Sequence, residues 1–167
     1  MNHLWVRSPQ PRRFQWKHCF AYKAVGDRRY RETSGIDNTY FTLLTLNIQQ
    51  VYFDAAYAAK TEWKKMLVDS TFTLALLTGM SVGTVSAKIV ANLGWDKVKA
   101  TAPVFAGDTL YAESKILDKR ESQSRPGQGI VTIETRGFNQ HRTEVMSFER
   151  TMLIYKRGHS PEEAAGY

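Results

Sequence analysis

Cysteine is almost missing from this chain: Cys19 stands alone among 167 residues. An intramolecular disulfide is therefore impossible, and there is no cysteine cluster to hold a structural zinc. Long apolar runs are missing as well. The longest, Leu74 to Val85, is interrupted by Thr78, Gly79, Ser81, Gly83 and Thr84, short of the roughly 18 or more apolar residues that cross a bilayer. With 5 prolines and 11 glycines, collagen-like and low-complexity chains are excluded. The histidines, His3, His18, His141 and His159, form no set with metal-ligand spacing, so no metal centre is expected. What the chain does have is 43% hydrophobic and 23% charged residues, in a length that suits one compact domain. The lone cysteine fits an intracellular, reducing compartment, with the cytoplasm as the expected location.

Acidic residues are absent up to Gly26, and that absence accounts for most of the net charge of +7. Residues 1–32 carry eight basic side chains against Asp27 and Glu32, leaving only +1 for the remainder. The body of the domain is nearly neutral, which argues against nucleic acid as its partner. The basic arm, residues 1–26, has the composition of a mitochondrial presequence, but Pro9 and Pro11 interrupt any amphipathic helix there. The preferred reading is an extension lying on the surface or on a partner subunit, with Trp5, Phe14, Trp16 and Phe20 as its apolar contacts. No apolar h-region follows the basic residues, so a secretory signal is not expected.

Three divisions are expected: the arm at 1–26, a domain at 27–157 and a loose polar tail at 158–167. Arg28 to Ser34 is strand-compatible, and Asp37 is placed as the N-cap of a short helix through Leu46. Asp54 opens a second short helix to Lys60. Thr71 to Ser86 reads as one helix buried on all sides, with Ala75, Gly79 and Gly83 at four-residue steps admitting a close neighbour. Lys88 to Val98 contains a turn-like Gly94. Strands follow at Leu110 to Lys119, Ile130 to Phe138 and Val145 to Tyr155, the last two joined by the polar hairpin Asn139 to Arg142. One buried helix followed by antiparallel strands makes an α+β layer in which a sheet wraps the helix.

Several ordered motifs then carry a resemblance. The segment FDAAYAA, the turn PVFAGDTL into a long strand, and the loop RESQSRPGQGIV resemble the MaoC-like dehydratase family, relatives of (R)-specific enoyl-CoA hydratases. The resemblance covers residues 20–157. It implies the hotdog fold, a curved antiparallel sheet wrapped around a long central helix, together with a homodimer and an acyl- or enoyl-CoA thioester as substrate. On composition and charge, no cofactor, no nucleic acid and no membrane partner are expected.

In this family an Asp, four intervening residues and a His act on the water that adds across an enoyl thioester. The matching positions here are Asn47 and Tyr52. An amide orients water but cannot take its proton, and a phenol with an ordinary pKa of about 10 is protonated at neutral pH. Tyr52 is therefore either a proton donor working with Asp69 or a filler of the space left by the imidazole. The resemblance also matches Asp69-Ser70 to the pair whose backbone N–H, at the start of the central helix, polarises the thioester carbonyl. That donor does not depend on side-chain identity, although plain N-capping accounts equally for Asp69, Ser70 and Thr71. Lys119, Arg120 and Arg125 flank a Gly-containing turn, and the resemblance favours them as contacts to CoA phosphates, whereas judged alone such a cluster at a strand end reads as a solvated face. Two functions from other classes stay open: a catalytically silent acyl-CoA-binding or assembly subunit, and a thioesterase using Asp54 or Asp69.

Overall fold

The computed structural model describes residues 31–33 and 35–166; the basic arm, with Cys19, His3 and His18, lies outside them. Strand β1 (Arg31–Glu32) leads into helix α1 (Gly35–Leu44), a 3-10 turn (Gln50–Tyr52), α2 (Ala55–Ala58) and α3 (Ser70–Met80). A π-helical turn (Val82–Ser86) then joins α3 to strands β2 (Ile89–Ala100), β3 (Thr109–Glu121), β4 (Gln128–Phe138) and β5 (Glu144–Tyr155), and α4 (Pro161–Ala164) ends the described chain. The strands form one antiparallel sheet in the order β1-β3-β4-β5-β2.

Side-chain alternation explains the middle of the sheet. In β4, Val131, Ile133 and Thr135 are buried at every second position, and in β5 Phe148, Arg150 and Met152 face them across the ladder. A strand puts residues i and i+2 on one face, so this pattern binds one side of the sheet to the core. Phe72 and Leu77 of α3 join Val104, Leu110 and Phe148 in one cluster, while Val131, Ile133, Met152 and Ile154 form a second. The closest approach of helix to sheet is made at Gly137, where an added Cβ would collide with the side chain of fully buried Leu77.

Four expectations are corrected. The helix expected from Thr71 to Ser86 is α3 followed, after Ser81, by the π-turn. It is not buried on all sides: Ala75, Gly79 and Gly83 are exposed, and nothing lies within 4 Å of a Cβ built at Gly79. The stripe of small residues thus faces away from the sheet, and the close approach belongs to Gly137 instead. Gly94 is not a turn but an interior residue of β2, where the register with β5 shifts between Asn92 and Gly94; a bulge admits glycine without ending the strand. Asp37 lies inside the first turn of α1, which begins two residues earlier. The tail is not wholly loose, since Ser160 is buried and α4 follows it.

Helix α1 has an unusual polarity. It buries Asn38 and Thr42 and exposes Ile36, Tyr40, Leu43 and Leu44. The buried asparagine is explained by what it holds, described next.

Candidate active site

The local chemistry of the chain places a carboxylate at the start of each of two helices. Asp54 caps α2, accepting at Oδ1 from the N–H groups of Ala56 at 2.9 Å and Tyr57 at 3.0 Å. Asp69 caps α3 in the same way, its Oδ1 accepting from Thr71 N–H at 2.6 Å, Thr71 Oγ1 at 2.6 Å and Phe72 N–H at 3.4 Å. Such caps satisfy donors that a helix start leaves unpaired. Asp69 differs in being 2% exposed and in having its second oxygen engaged too: Asn47 Nδ2 donates to Oδ2 at 2.5 Å.

Asn47 reaches this position because α1 ends abruptly. Leu46 adopts φ 57° and the Asn47 N–H bonds back to Thr42 O at 2.9 Å, a left-handed terminus that turns the chain toward α3. Asn47 Oδ1 then accepts the Gln49 N–H at 3.1 Å. Asn38 ties the segments together: its Oδ1 accepts the Asp69 N–H at 2.9 Å, and its Nδ2 donates to Tyr52 O at 2.7 Å and Leu67 O at 2.9 Å. Sequence reasoning missed Asn38, and the signal that pointed to it was a polar residue on the inward side of a helix whose other face is apolar.

The first turn of α3 leaves one donor over. Thr71 and Phe72 N–H groups go to the Asp69 carboxylate, and Thr73 N–H goes to Asp69 O at 2.9 Å. Among the described residues the Ser70 N–H has no hydrogen-bond partner. Ser70 lines a cavity of about 320 Å³ together with Tyr52, Trp63, Thr73, Thr101 and Met146. Burial, and secondly the Asp69 charge, raise the Tyr52 phenol above its ordinary pKa of 10.0. The phenol is therefore neutral at physiological pH and is no base.

Asn47, Tyr52, Asp69 and Ser70, expected to belong together, are brought together. Lys119, Arg120 and Arg125 are exposed at the other end of the sheet. The cavity is reached by Met146, which pairs through Gly137 to Ala112; Lys119 lies seven residues further along β3, about 23 Å at strand spacing. Trp63 lines the cavity, whereas Phe41 and Phe72 pack against each other as a tilted pair at 4.9 Å between centroids. His141 is exposed in the β4–β5 hairpin, and exposed His159 packs on Gly127. Among the described residues no group of three or more His, Cys, Asp or Glu side chains could hold a metal, and no helix is long and apolar enough to cross a membrane.

An antiparallel sheet packed on a helix is the fold that this chain shares with the MaoC-like class of hotdog hydratases and dehydratases. A MaoC domain protein dehydratase from Chloroflexus aurantiacus superposes with a TM-score of 0.72 at 25% identity, over 80% of this chain and 38% of that one. The fold is shared with the (R)-hydratase of A. caviae, at a TM-score of 0.64 and 24% identity over 75% of this chain and 90% of that one. The profile described as mesaconyl-CoA hydratase matches residues 17–166, and the chain belongs to that family. The mesaconyl-CoA hydratase of Cereibacter sphaeroides is 39% identical over 90 residues, 54% of this chain and 26% of that protein. The chain thus spans about a quarter of the length of that relative.

Proposed function

We propose that this protein binds an acyl- or enoyl-CoA thioester with its carbonyl at the Ser70 N–H, and that its own residues do not activate water. The family reaction is reversible hydration of a 2-enoyl-CoA, and the Cereibacter relative is named for mesaconyl-CoA. One observation carries the reading: at the first turn of α3, Ser70 N–H alone is left for a ligand, while both Asp69 oxygens are occupied by neutral donors, Asn47 among them. A free N–H at a helix N-terminus is a preorganised partner for a carbonyl oxygen gaining negative charge. Water addition needs in addition a group that accepts a proton near neutral pH. Asn47 has no such capacity, Tyr52 is held protonated, and Asp69 is enclosed. The same enclosure disfavours thioester hydrolysis through Asp69, and Asp54 is spent on capping α2.

Lys119, Arg120 and Arg125 are assigned to the phosphates of an extended CoA, their distance from the cavity requiring the full length of the ligand. A second copy of this chain is the proposed partner. Strand β2 is an edge of the sheet and leaves Leu93, Trp95 and Val98 between 42% and 52% exposed, a surface that a soluble protein covers or blunts. Sedimentation equilibrium is expected to give a dimer, and a monomer at all concentrations removes the partner assignment.

The test is loss of enoyl-thioester absorbance with crotonyl-CoA, run beside a calorimetric titration with the same compound. Binding without hydration is expected. Hydration that disappears in Tyr52→Phe would show instead that the phenol transfers protons. The double variant Asn47→Asp, Tyr52→His is expected to gain hydration, and a folded double variant that binds crotonyl-CoA yet stays inert overturns the account of what the wild type lacks.

A further inference from the structure

We infer that Asn38 is a positioning residue, holding the chain at the start of α3 so that the Ser70 N–H is turned toward a thioester carbonyl; this rests on the CoA-thioester reading above. An N–H is aimed by its own peptide plane, which here runs from the Asp69 carbonyl to Ser70 N. Helix α3 holds one end of that plane, since Asp69 O accepts from Thr73 N–H at 2.9 Å and from Thr73 Oγ1 at 3.2 Å. Asp69 itself is extended, at φ −56° and ψ 131°, so the rest of the aim is set by the segment that leads into the helix.

That segment is gripped from two sides. On one, Leu67 bridges to Phe105 and Val68 N–H donates to Val104 O at 2.8 Å. On the other stands the fully buried Asn38, whose Nδ2 donates to Leu67 O at 2.9 Å while its Oδ1 accepts the Asp69 N–H at 2.9 Å. One side-chain amide thus takes the carbonyl before Val68 and the N–H after it, as a neighbouring strand would. The second Nδ2 hydrogen goes to Tyr52 O at 2.7 Å, which ties the Tyr52 wall of the cavity to the Ser70 wall.

The residue type is specific to these partners. Two carbonyl oxygens need donors and one N–H needs an acceptor, and among short side chains only an uncharged amide supplies both. Asparagine is also a poor choice for a helix interior, so its place in α1 is explained by what it holds rather than by α1. Aim matters because N–H···O bonds weaken steeply once bent below about 120°. A modest rotation of the Asp69-Ser70 peptide would take the donor off a carbonyl with the fold intact.

Infrared difference spectra of butyryl-CoA, isotopically labelled at the thioester carbonyl and bound to the full chain, read the donor directly, because a hydrogen bond lowers the carbonyl stretching frequency. The wild type is expected to lower the band. Asn38→Leu approximates the shape of the side chain and removes its three hydrogen bonds; it is expected to lose at least about half of that lowering. Asn38→Asp, kept protonated by burial between carbonyl oxygens, accepts from the Asp69 N–H, donates to one carbonyl and is expected to restore most of it. A folded Asn38→Leu with the wild-type band, or an Asn38→Asp that loses as much as Asn38→Leu, overturns the inference and leaves the Ser70 assignment in place. If Asn38→Leu does not fold, Asn38→Ser, whose hydroxyl is one bond too short to reach, replaces it with the same outcomes. A wild type that does not bind butyryl-CoA, or binds it with the band unmoved, overturns the Ser70 reading itself, and the inference with it.

Discussion

Helix α3 has a buried charge at each end, and the two ends treat it in opposite ways. At the start stands the Asp69 carboxylate, 2% exposed; beyond the last turn stands the Arg150 guanidinium of β5, 1% exposed. Asp69 is held by amide, hydroxyl and backbone donors, and Arg150 donates from Nη2 to Ser81 Oγ at 2.9 Å and Ser86 Oγ at 3.4 Å. Neither has an opposite charge as partner among the described residues. Each sign suits the helix end it faces, since the macrodipole is positive at the N-terminus and negative at the C-terminus.

The difference lies in completeness. Asp69 has donors on both oxygens, whereas Arg150 Nε is buried without a partner and burial lowers the guanidinium below its ordinary pKa. The complete end opens onto the cavity through Ser70, and the incomplete end is closed by the sheet. Neutral partners and a dipole suffice to hold a buried charge in place. None of these partners is a base near neutral pH, and that is the basis on which the proposed function gives the start of α3 a carbonyl to hold and no water to activate.

The largest expected effect comes from breaking the closed end. Arg150→Ala removes a buried side chain with its aliphatic stem and takes the donor from Ser81 and Ser86; a loss of about 3 kcal/mol is expected from urea denaturation. A loss below about 1 kcal/mol would show that the guanidinium contributes little to the π-turn.

Breaking the open end costs less. Asp69→Ala removes the helix cap and orphans the Asn47 amide, for about 2 kcal/mol in the same measurement. The shape-preserving Asp69→Asn isolates the charge. Tyr52 is held above pKa 10.0 first by burial and then by Asp69, so an ultraviolet titration of the phenol is expected to shift downward in Asp69→Asn without falling below the ordinary value. The sign for stability follows from the raised pKa. The contribution of the neutral phenol is complete below pH 10.0, its unfolded value, and is lost as pH rises through the folded value. Asp69→Asn narrows that window; an unchanged titration would mean the Asp69 charge does not reach Tyr52.

The smallest effect lies on the exposed side of α3. Gly79→Ala meets no atom within 4 Å and should raise stability by about 0.5–1 kcal/mol through helix propensity, read as a higher melting temperature. A lower one would show that this face is covered by a second copy.

Much of the architecture was legible because it is written in short-range patterns. The period of two through Ile130 to Phe138 and Val145 to Tyr155 announced two strands whose observed limits, Gln128–Phe138 and Glu144–Tyr155, differ by a residue or two at their starts. Asp54 and Asp69 were readable as caps because a capping carboxylate serves N–H groups two and three residues away. The grouping of Asn47, Tyr52, Asp69 and Ser70 came from ordered motifs resembling a family, not from spacing.

Other features were decided only in three dimensions. Nothing local distinguishes Gly94 in a bulged strand from Gly94 in a turn, because the choice depends on a partner strand more than fifty residues away in β5. The orientation of Ala75, Gly79 and Gly83 was likewise open: a helix apolar on every side does not declare which side meets the sheet, and the collision-free surface under Leu77 is supplied by Gly137. Asn38 and Arg150 read as ordinary polar residues until the groups they hold, Asp69 and Tyr52 for one, Ser81 and Ser86 for the other, are brought to them by folding. By itself the sequence determined the fold class and the strand periodicity, since these depend on residue identity and near neighbours. Tertiary structure alone decided that Asp69 is enclosed and that, among the described residues, Ser70 N–H is left over, because each depends on which distant groups fill the space around one atom.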